Sequence, residues 1–289
     1  MRVLLTGAAG QVGSEIVRLL EARSAERAHG RLEVVALDHA RLELERRDQV
    51  LATVCAAEPD VVIHPAALTA VDACELDPDR AFAVNGLGTR HLAEASRLVG
   101  AHVVYLSTDY VFDGRSDCPY REWDATNPLS VYGRSKLAGE HELDPSWATV
   151  RTAWVVGLNG SNMAKTVLRV ARESTGALRF VDDQRGSPTV AGDLAEKVVE
   201  LALSRRPGCF HVTNQGETTW YGFARAVLEE AGLDADRVEP IATAELDPPR
   251  PAPRPSNSVL DNAALRLGGD ELLPPWRDAL GRLVRELSR

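Results

Sequence analysis

The sequence has little cysteine. Cys55, Cys74, Cys118 and Cys209 are its four, with no CxxC pair and no Cys/His spacing suited to zinc. That excludes a disulfide scaffold and suits free thiols in a reducing compartment, serving as small apolar fillers. No apolar run approaches the ~20 residues of a membrane span. Val3-Leu4-Leu5 passes at once into Thr6-Gly7, too short a run for the core of a secretory signal, so a cytoplasmic protein with no membrane partner is expected. Basic excess is also missing: 33 Lys and Arg stand against 42 Asp and Glu, a formal net charge of −9. Such a field repels phosphate polymers, and nucleic acid is not an expected partner. Any anionic ligand must be held locally, by backbone donors or a few arginines. There is no internal repeat, and the only biased segment is a proline run at 248–255.

What is present is an ordinary globular composition of 289 residues, 44% hydrophobic and 26% charged. At about 150 residues per domain this suggests two units, and a chain of this size buries about three quarters of its unfolded surface without needing disulfides or a metal. Arg2 to Thr6 reads as a buried strand, and from Gly13 to Ala22 apolar residues recur at helical spacing. Leu32 to Leu37 is a second strand, Asp48 to Ala57 a helix, Asp60 to His64 a third strand, Ala81 to Val99 a long helix and Ala101 to Leu106 another strand. Continuous apolar runs alternating with helices indicate a parallel sheet covered on both faces. The right-handed crossover rule makes that an α/β, Rossmann-type doubly wound sheet. It is expected over 1–150, with a smaller α/β lobe over 151–289 and a return to the first unit near 190–215. In the last third, Cys209 to Thr213 reads as a strand, Trp220 to Ala231 and Trp276 to Leu287 as helices, and Pro248 to Pro255 as an extended stretch.

Gly7-Ala8-Ala9-Gly10-Gln11-Val12-Gly13 is a GxxGxxG turn between the first strand and first helix. Glycines let the backbone approach a pyrophosphate there, and the free N–H groups and dipole of the helix N-terminus stabilise its charge. Alone the pattern is weak. Its strand-to-helix context at the head of a chain of βαβ units makes it a dinucleotide site. Asp38, ending the second strand, stands where a carboxylate accepts from the adenosine ribose, which favours NADH. His39 and Arg41 are cations or near-cations that could accommodate a 2′-phosphate instead, so NADPH and NADH both stay open.

Leu106-Ser107-Thr108-Asp109-Tyr110-Val111-Phe112 puts hydroxyls and a carboxylate at a strand's C-terminal end, where open α/β sheets bind ligands. Downstream, Tyr132-Gly133-Arg134-Ser135-Lys136 is a YxxxK pair; on a helix such residues share one face. A tyrosine of ordinary pKa ~10 is a poor proton shuttle at neutral pH. Lys136 and an oxidised nicotinamide would lower it, so Thr108, Tyr132 and Lys136 are the expected catalytic residues.

These motifs together resemble the extended short-chain dehydrogenase/reductase superfamily. A closer likeness comes from Ala66-Ala67-Leu68-Thr69-Ala70-Val71-Asp72, the Ser107 to Gly114 run, Tyr132-Gly-x-x-Lys136-Leu-x-Gly139-Glu140, Arg151-Thr-Ala-Trp154-Val, Asp183-Gln184-x-Gly186-Ser187-Pro188-Thr189 and Arg254-Pro255-x-Asn257-Ser258-x-Leu260. By these the chain resembles the dTDP-4-dehydrorhamnose reductase family over essentially its whole length. The resemblance implies hydride transfer from NADPH or NADH to C4 of dTDP-4-dehydro-β-L-rhamnose. Tyr132 would give the proton, Lys136 would bind the nicotinamide ribose hydroxyls, and Thr108 would hydrogen-bond near the ketone. Ala66, Ala67, Thr69, Tyr132 and Lys136 would join Gly7, Gly10, Gln11, Val12, Gly13 and Asp38 around the cofactor. Val71, Asp109, Tyr110, Trp154, Gln184 and Arg254 would bind the nucleotide sugar, Arg254 near its diphosphate. A homodimer is compatible with the resemblance.

The sequence departs from the family pattern at Leu68, at His64-Pro65 and at Met163, all of which bear on pocket lining. Glu15 matches a family position linked to a divalent cation, but acidic partners are not evident around Ala191-Gly192-Asp193, and no metal is expected. Two rival readings stand: a 4-ketoreductase for another deoxysugar nucleotide, which shares every catalytic residue, and a non-catalytic binding subunit of the same architecture. Retention of Thr108, Tyr132 and Lys136 together weighs against the second. A 4,6-dehydratase is disfavoured because Thr108 is followed by Asp109-Tyr110 with no Glu.

Overall fold

The computed structural model describes residues 1–25 and 32–289. In the first half β1 (Arg2–Leu5), α1 (Gln11–Ala25), β2 (Glu33–Ala36), α2 (Arg47–Ala57) and β3 (Val61–His64) alternate. There follow α3 (Val71–Leu76), α4 (Pro78–Ala81), α5 (Gly88–Val99), β4 (His102–Thr108), α6 (Val131–Glu140) and β5 (Ala148–Thr152). The second half holds β6 (Val155–Val156), α7 (Met163–Glu173), β7 (Leu178–Val181), β8 (Arg185–Gly186), β9 (Thr189–Val190) and α8 (Ala191–Ser204). It closes with β10 (Gly208–His211), β11 (Thr218–Thr219), α9 (Trp220–Glu230), β12 (Val238–Ile241), α10 (Ala263–Gly268) and α11 (Trp276–Leu287).

Six strands form one parallel sheet in the order β10-β5-β4-β3-β1-β2. Alternation along β1 shows why both faces are covered. Val3 and Leu5 join one core with Ile16, Leu20 and Val198, whereas Leu4 joins the opposite core with Val54, Val62 and Leu92. Burying each leucine contributes about 2 kcal/mol. The chain is thus the doubly wound α/β fold expected from its apolar runs. β10 pairs with β5 at the sheet edge and α8 packs on α1, so residues from the second half complete the first sheet. A separate core of Val167, Leu168, Phe223, Val227, Leu280 and Val284 holds α7, α9 and α11 together. No helix among the described residues is long and apolar enough to cross a membrane, and the four cysteines are free.

The helix read as continuous from Ala81 to Val99 is interrupted. Between α4 and α5, Phe82–Leu87 makes a π turn. Close packing accompanies it: a Cβ at Gly88 would stand 2.7 Å from Leu44 Cβ. The turn carries Asn85, which is buried; its Oδ1 accepts from Leu68 N at 2.8 Å, and its Nδ2 donates to Leu68 O at 3.1 Å and Ser135 Oγ at 2.9 Å. A π turn inside a helix is often found at a functional site. Here it fastens the loop after β3 to α6.

Candidate active site

The chain runs outward from β1 to β2 and then crosses back to β3, and ligands of open α/β sheets bind beyond the strand ends at such a reversal. A cavity of about 820 Å³ lies there, lined at one end by the Gly7–Gly13 turn and at the other by Thr108, Tyr132 and Lys136. The glycines are needed for the turn's shape. Gly7 has φ 60°, and a Cβ on it would stand 2.9 Å from Ala66 Cα. A Cβ on Gly13 would stand 2.1 Å from Gly7 O. Gly10 N donates to Gly7 O at 2.9 Å, leaving the first-turn N–H groups of α1 without intrahelical partners. Gln11 Oε1 is buried with no protein partner. Free N–H groups and a cradle that side chains would fill fit the phosphate end of a dinucleotide.

At the other end Ser130 caps α6, its Oγ accepting from Gly133 N at 3.1 Å. The helix thereby presents Tyr132 and Lys136 on one face toward the end of β4. Lys136 is buried; its Nζ donates to Leu106 O at 2.7 Å and lies 4.0 Å from the centre of the Tyr105 ring. Burial pulls its pKa down to about 7, while Glu140 works the other way. Thr108 Oγ1 donates to Asp109 Oδ1 at 2.9 Å and accepts from Tyr110 N at 3.2 Å. Asp109 is pushed up to about 6 by burial, and its Oδ2 is buried with no hydrogen-bond partner.

Around Tyr132 the protein's own groups act against the lowering expected from Lys136 and an oxidised nicotinamide. Burial raises its pKa far above the ordinary value, with Asp109 and Tyr110 adding to the rise and Thr108 opposing it. The reason is desolvation, which penalises a phenolate more than neighbouring dipoles favour it. A phenol held protonated is a donor, the state a reduction requires.

Trp154 closes the cavity on the side of the second half. Its backbone is left-handed, φ 46°, a conformation costing about 1–3 kcal/mol in a non-glycine residue. Its indole stacks on Trp220 with centroids 3.5 Å apart and planes 5° from parallel. Gly186 lies against the same ring: a Cβ there would stand 2.3 Å from Trp154 Cε2.

A sequence model described as the RmlD substrate binding domain matches residues 1–289. The chain belongs to this family. It is 42% identical to a dTDP-4-dehydrorhamnose reductase of Burkholderia thailandensis, over 99% of both chains. It is 40% identical to the spore coat polysaccharide biosynthesis protein SpsK of Bacillus subtilis, over 99% of this chain and 98% of that one. Among solved structures, the dTDP-4-dehydrorhamnose reductase of Bacillus anthracis in complex with NADP superposes with a TM-score of 0.91 at 35% identity, covering 99% of both chains.

In this RmlD-family chain every residue expected from the sequence to be catalytic or to bind cofactor or sugar lines the large cavity, with two exceptions. Gln184 is buried, and its Nε2 donates to Thr243 Oγ1 at 2.9 Å. Arg254 pairs with Asp72, Nη1 to Oδ1 at 2.5 Å and Nη2 to Oδ2 at 2.8 Å, and lines a neighbouring cavity of about 500 Å³. Two of the departures from the family pattern can be placed, and Met163 packs against the core of the second half. Leu68 is fixed through its backbone by Asn85, as described above. His64 is buried between Thr6 Oγ1 at 2.7 Å and Thr89 Oγ1 at 3.3 Å, and burial pulls its pKa down to about 3, so it is neutral. Glu15 pairs with Arg18, and Asp193 with Arg282. The sequence reading missed Trp220, whose role is visible only once α9 is placed beside Trp154.

Two expected outcomes follow for this family site. Arg41 N donates to Asp38 Oδ1 at 3.1 Å, and the Arg41 guanidinium donates to Ala36 O at 2.8 Å, so that Asp38 lines the cavity and Arg41 does not. Asp38→Ala should raise the NADPH-to-NADH ratio of kcat/KM by about tenfold, because a carboxylate repels a 2′-phosphate; steady-state kinetics with both nucleotides check it, and an unchanged ratio removes Asp38 from cofactor choice. Gly186→Ala must displace the Trp154 ring and should raise KM for the sugar nucleotide by about tenfold with a smaller change in kcat. An unchanged KM would separate Trp154 from the sugar site.

Proposed function

We propose that this protein reduces the C4 ketone of dTDP-4-dehydro-β-L-rhamnose to the alcohol of dTDP-β-L-rhamnose, using NADPH or NADH. The observation that carries the reading is that one cavity joins a glycine phosphate cradle to Thr108, Tyr132 and Lys136. The relatives named dTDP-4-dehydrorhamnose reductase, one of them a complex with NADP, support it. The reduced nicotinamide dinucleotide supplies the hydride.

The first-turn N–H groups of Gln11, Val12 and Gly13 hold the pyrophosphate, Asp38 accepts from the adenosine ribose, and Ala66, Ala67 and Thr69 line the path toward the ketone. Lys136 binds the nicotinamide ribose hydroxyls. As hydride reaches C4, the C=O π pair moves onto oxygen; Tyr132 gives that oxygen its phenolic proton, and the hydroxyl forms. Thr108 Oγ1 donates a hydrogen bond to the same oxygen, placing a fixed dipole where negative charge grows. Val71, Asp109, Tyr110 and Trp154 shape the sugar pocket. Arg254 meets the diphosphate, exchanging part of its contact with Asp72 for phosphate oxygens, and Gln184 supports the loop beside Thr243. Substrate-dependent loss of nicotinamide absorbance tests the reading. Turnover with either nucleotide supports it; no turnover by a protein that binds NADPH overturns it.

A further inference from the structure

The mechanism above uses Lys136 as a cation, yet its ammonium is buried and its hydrogen bond goes to the neutral Leu106 carbonyl. One turn along α6, Glu140 is also buried, and it joins three elements. Ser107 Oγ, adjacent in sequence to Thr108, donates to Glu140 Oε1. Arg151 on β5 donates from Nη2 to Oε2 at 2.7 Å and from Nε to Oε1 at 3.0 Å. The Arg151 side chain is 8% exposed and that of Glu140 7%, so neither charge is screened by water. Arg151 Nη1 goes on to Glu122 O at 3.3 Å.

We propose that Glu140 is a positioning residue for Lys136: through Ser107 and Arg151 it fixes the catalytic helix to the end of β4, and it supplies the negative charge that the buried ammonium faces. The inference rests on the reductase reading for its purpose, but the arrangement it describes does not depend on which sugar is used.

The surroundings leave Glu140 in this role. On α6 itself the other titratable neighbour is Tyr132, held as a neutral phenol. From β3, His64 is neutral. From β4 comes the neutral Tyr105, whose pKa burial raises well above the ordinary value, and after β4 comes Asp109, raised to about 6 and so ionised above that pH, whose Oδ1 accepts from Thr108 Oγ1. From α3, Glu75 is turned to the other end of α6, where its carboxylate accepts from Val131 N at 2.8 Å. From β5 comes Arg151, a cation. Glu140 is the group acting to keep Lys136 protonated.

Removing its charge leaves buried Lys136 and Arg151 without the carboxylate that acts on both, while Glu122 still acts on Arg151. Arginine does not deprotonate in proteins, so the lysine yields. In Glu140→Gln the Lys136 titration should fall by about one pH unit or more. In Glu140→Gln combined with Arg151→Met both charges are gone, and Lys136 should titrate between the parent and the single variant.

Sign and readout are direct. The chain has three lysines, Lys136, Lys165 and Lys197, so selective ¹³Cε labelling gives three resonances, and Lys136→Met assigns the one of interest. Titrating them in the NADPH-bound protein, with the alkaline limb of kcat/KM measured alongside, should give the order parent, double variant, Glu140→Gln from highest to lowest. A purely structural role for Glu140 would lower stability without moving the Lys136 resonance. An unmoved Lys136 titration in a folded Glu140→Gln protein overturns the proposal. If that variant does not fold, equal titration in the parent and the double variant overturns it instead. The NMR arm needs no sugar substrate, so failure of the reductase reading and failure of this one are told apart.

Discussion

Tyr132→Phe is expected to lower kcat by at least about 100-fold, while the Kd for NADPH stays within about twofold. The substitution removes one oxygen from a ring whose packing is otherwise unchanged. Tyr132 is nearly buried, with Tyr110 edge-on to it at 5.6 Å between ring centres. What disappears is the proton that the growing alkoxide must receive. Thr108 can still donate a hydrogen bond, so some rate remains, but its hydroxyl is a far weaker acid in water than a phenol. In the proposed arrangement the pyrophosphate rests on the glycine turn and the nicotinamide ribose on Lys136, neither of which loses an atom in the change. Stopped-flow single-turnover rates and NADPH fluorescence titration check both halves. A chemical step within a factor of a few of the parent would remove Tyr132 from proton transfer.

Gly13→Ala should cost at least about 100-fold in NADPH affinity. Its Cβ would stand 2.1 Å from Gly7 O, 2.9 Å from Gly7 C and 3.0 Å from Ala8 Cα, all backbone atoms of the same turn. No rotamer change relieves such a clash. The turn has to open, and the N–H groups at the start of α1 then lose their common aim. Gly192→Ala is the matched control, since nothing lies within 4 Å of a Cβ there. Nucleotide titration by calorimetry on both variants decides the matter; Gly13→Ala binding as well as Gly192→Ala would mean that the cradle does not hold phosphate.

The features legible in the sequence are those encoded over one turn or one helix. The Gly7–Gly13 spacing and the Tyr132/Lys136 pair each fix their geometry locally, and both are found on one cavity. The apolar runs of β1, β3 and β4 showed a sheet covered on two faces, because each strand is buried along nearly its whole length. What was not legible depends on distant partners. Arg254 reads as a phosphate ligand, but its pairing with Asp72, 182 positions away in sequence, leaves no local trace. Trp220 reads as the start of a helix until α9 sets its indole on Trp154. The π turn at Phe82–Leu87 spans six residues, too few for a change of helical period to show. Strands β6, β8, β9 and β11 are two residues each, too short for any alternation to show. For Tyr132 the sequence displayed the neighbouring charges but not the depth of burial, and burial decides the direction of its shift.

The family, the fold and the cavity converge on delivery of hydride and proton to one sugar carbonyl. The most direct check is to incubate the protein with dTDP-4-dehydro-β-L-rhamnose and nicotinamide nucleotide carrying deuterium at the transferable position, then to examine the product by NMR. A single deuterium at C4, in the configuration of dTDP-β-L-rhamnose, is the result this reading predicts. Unchanged sugar, deuterium at another carbon or the opposite C4 configuration would contradict it.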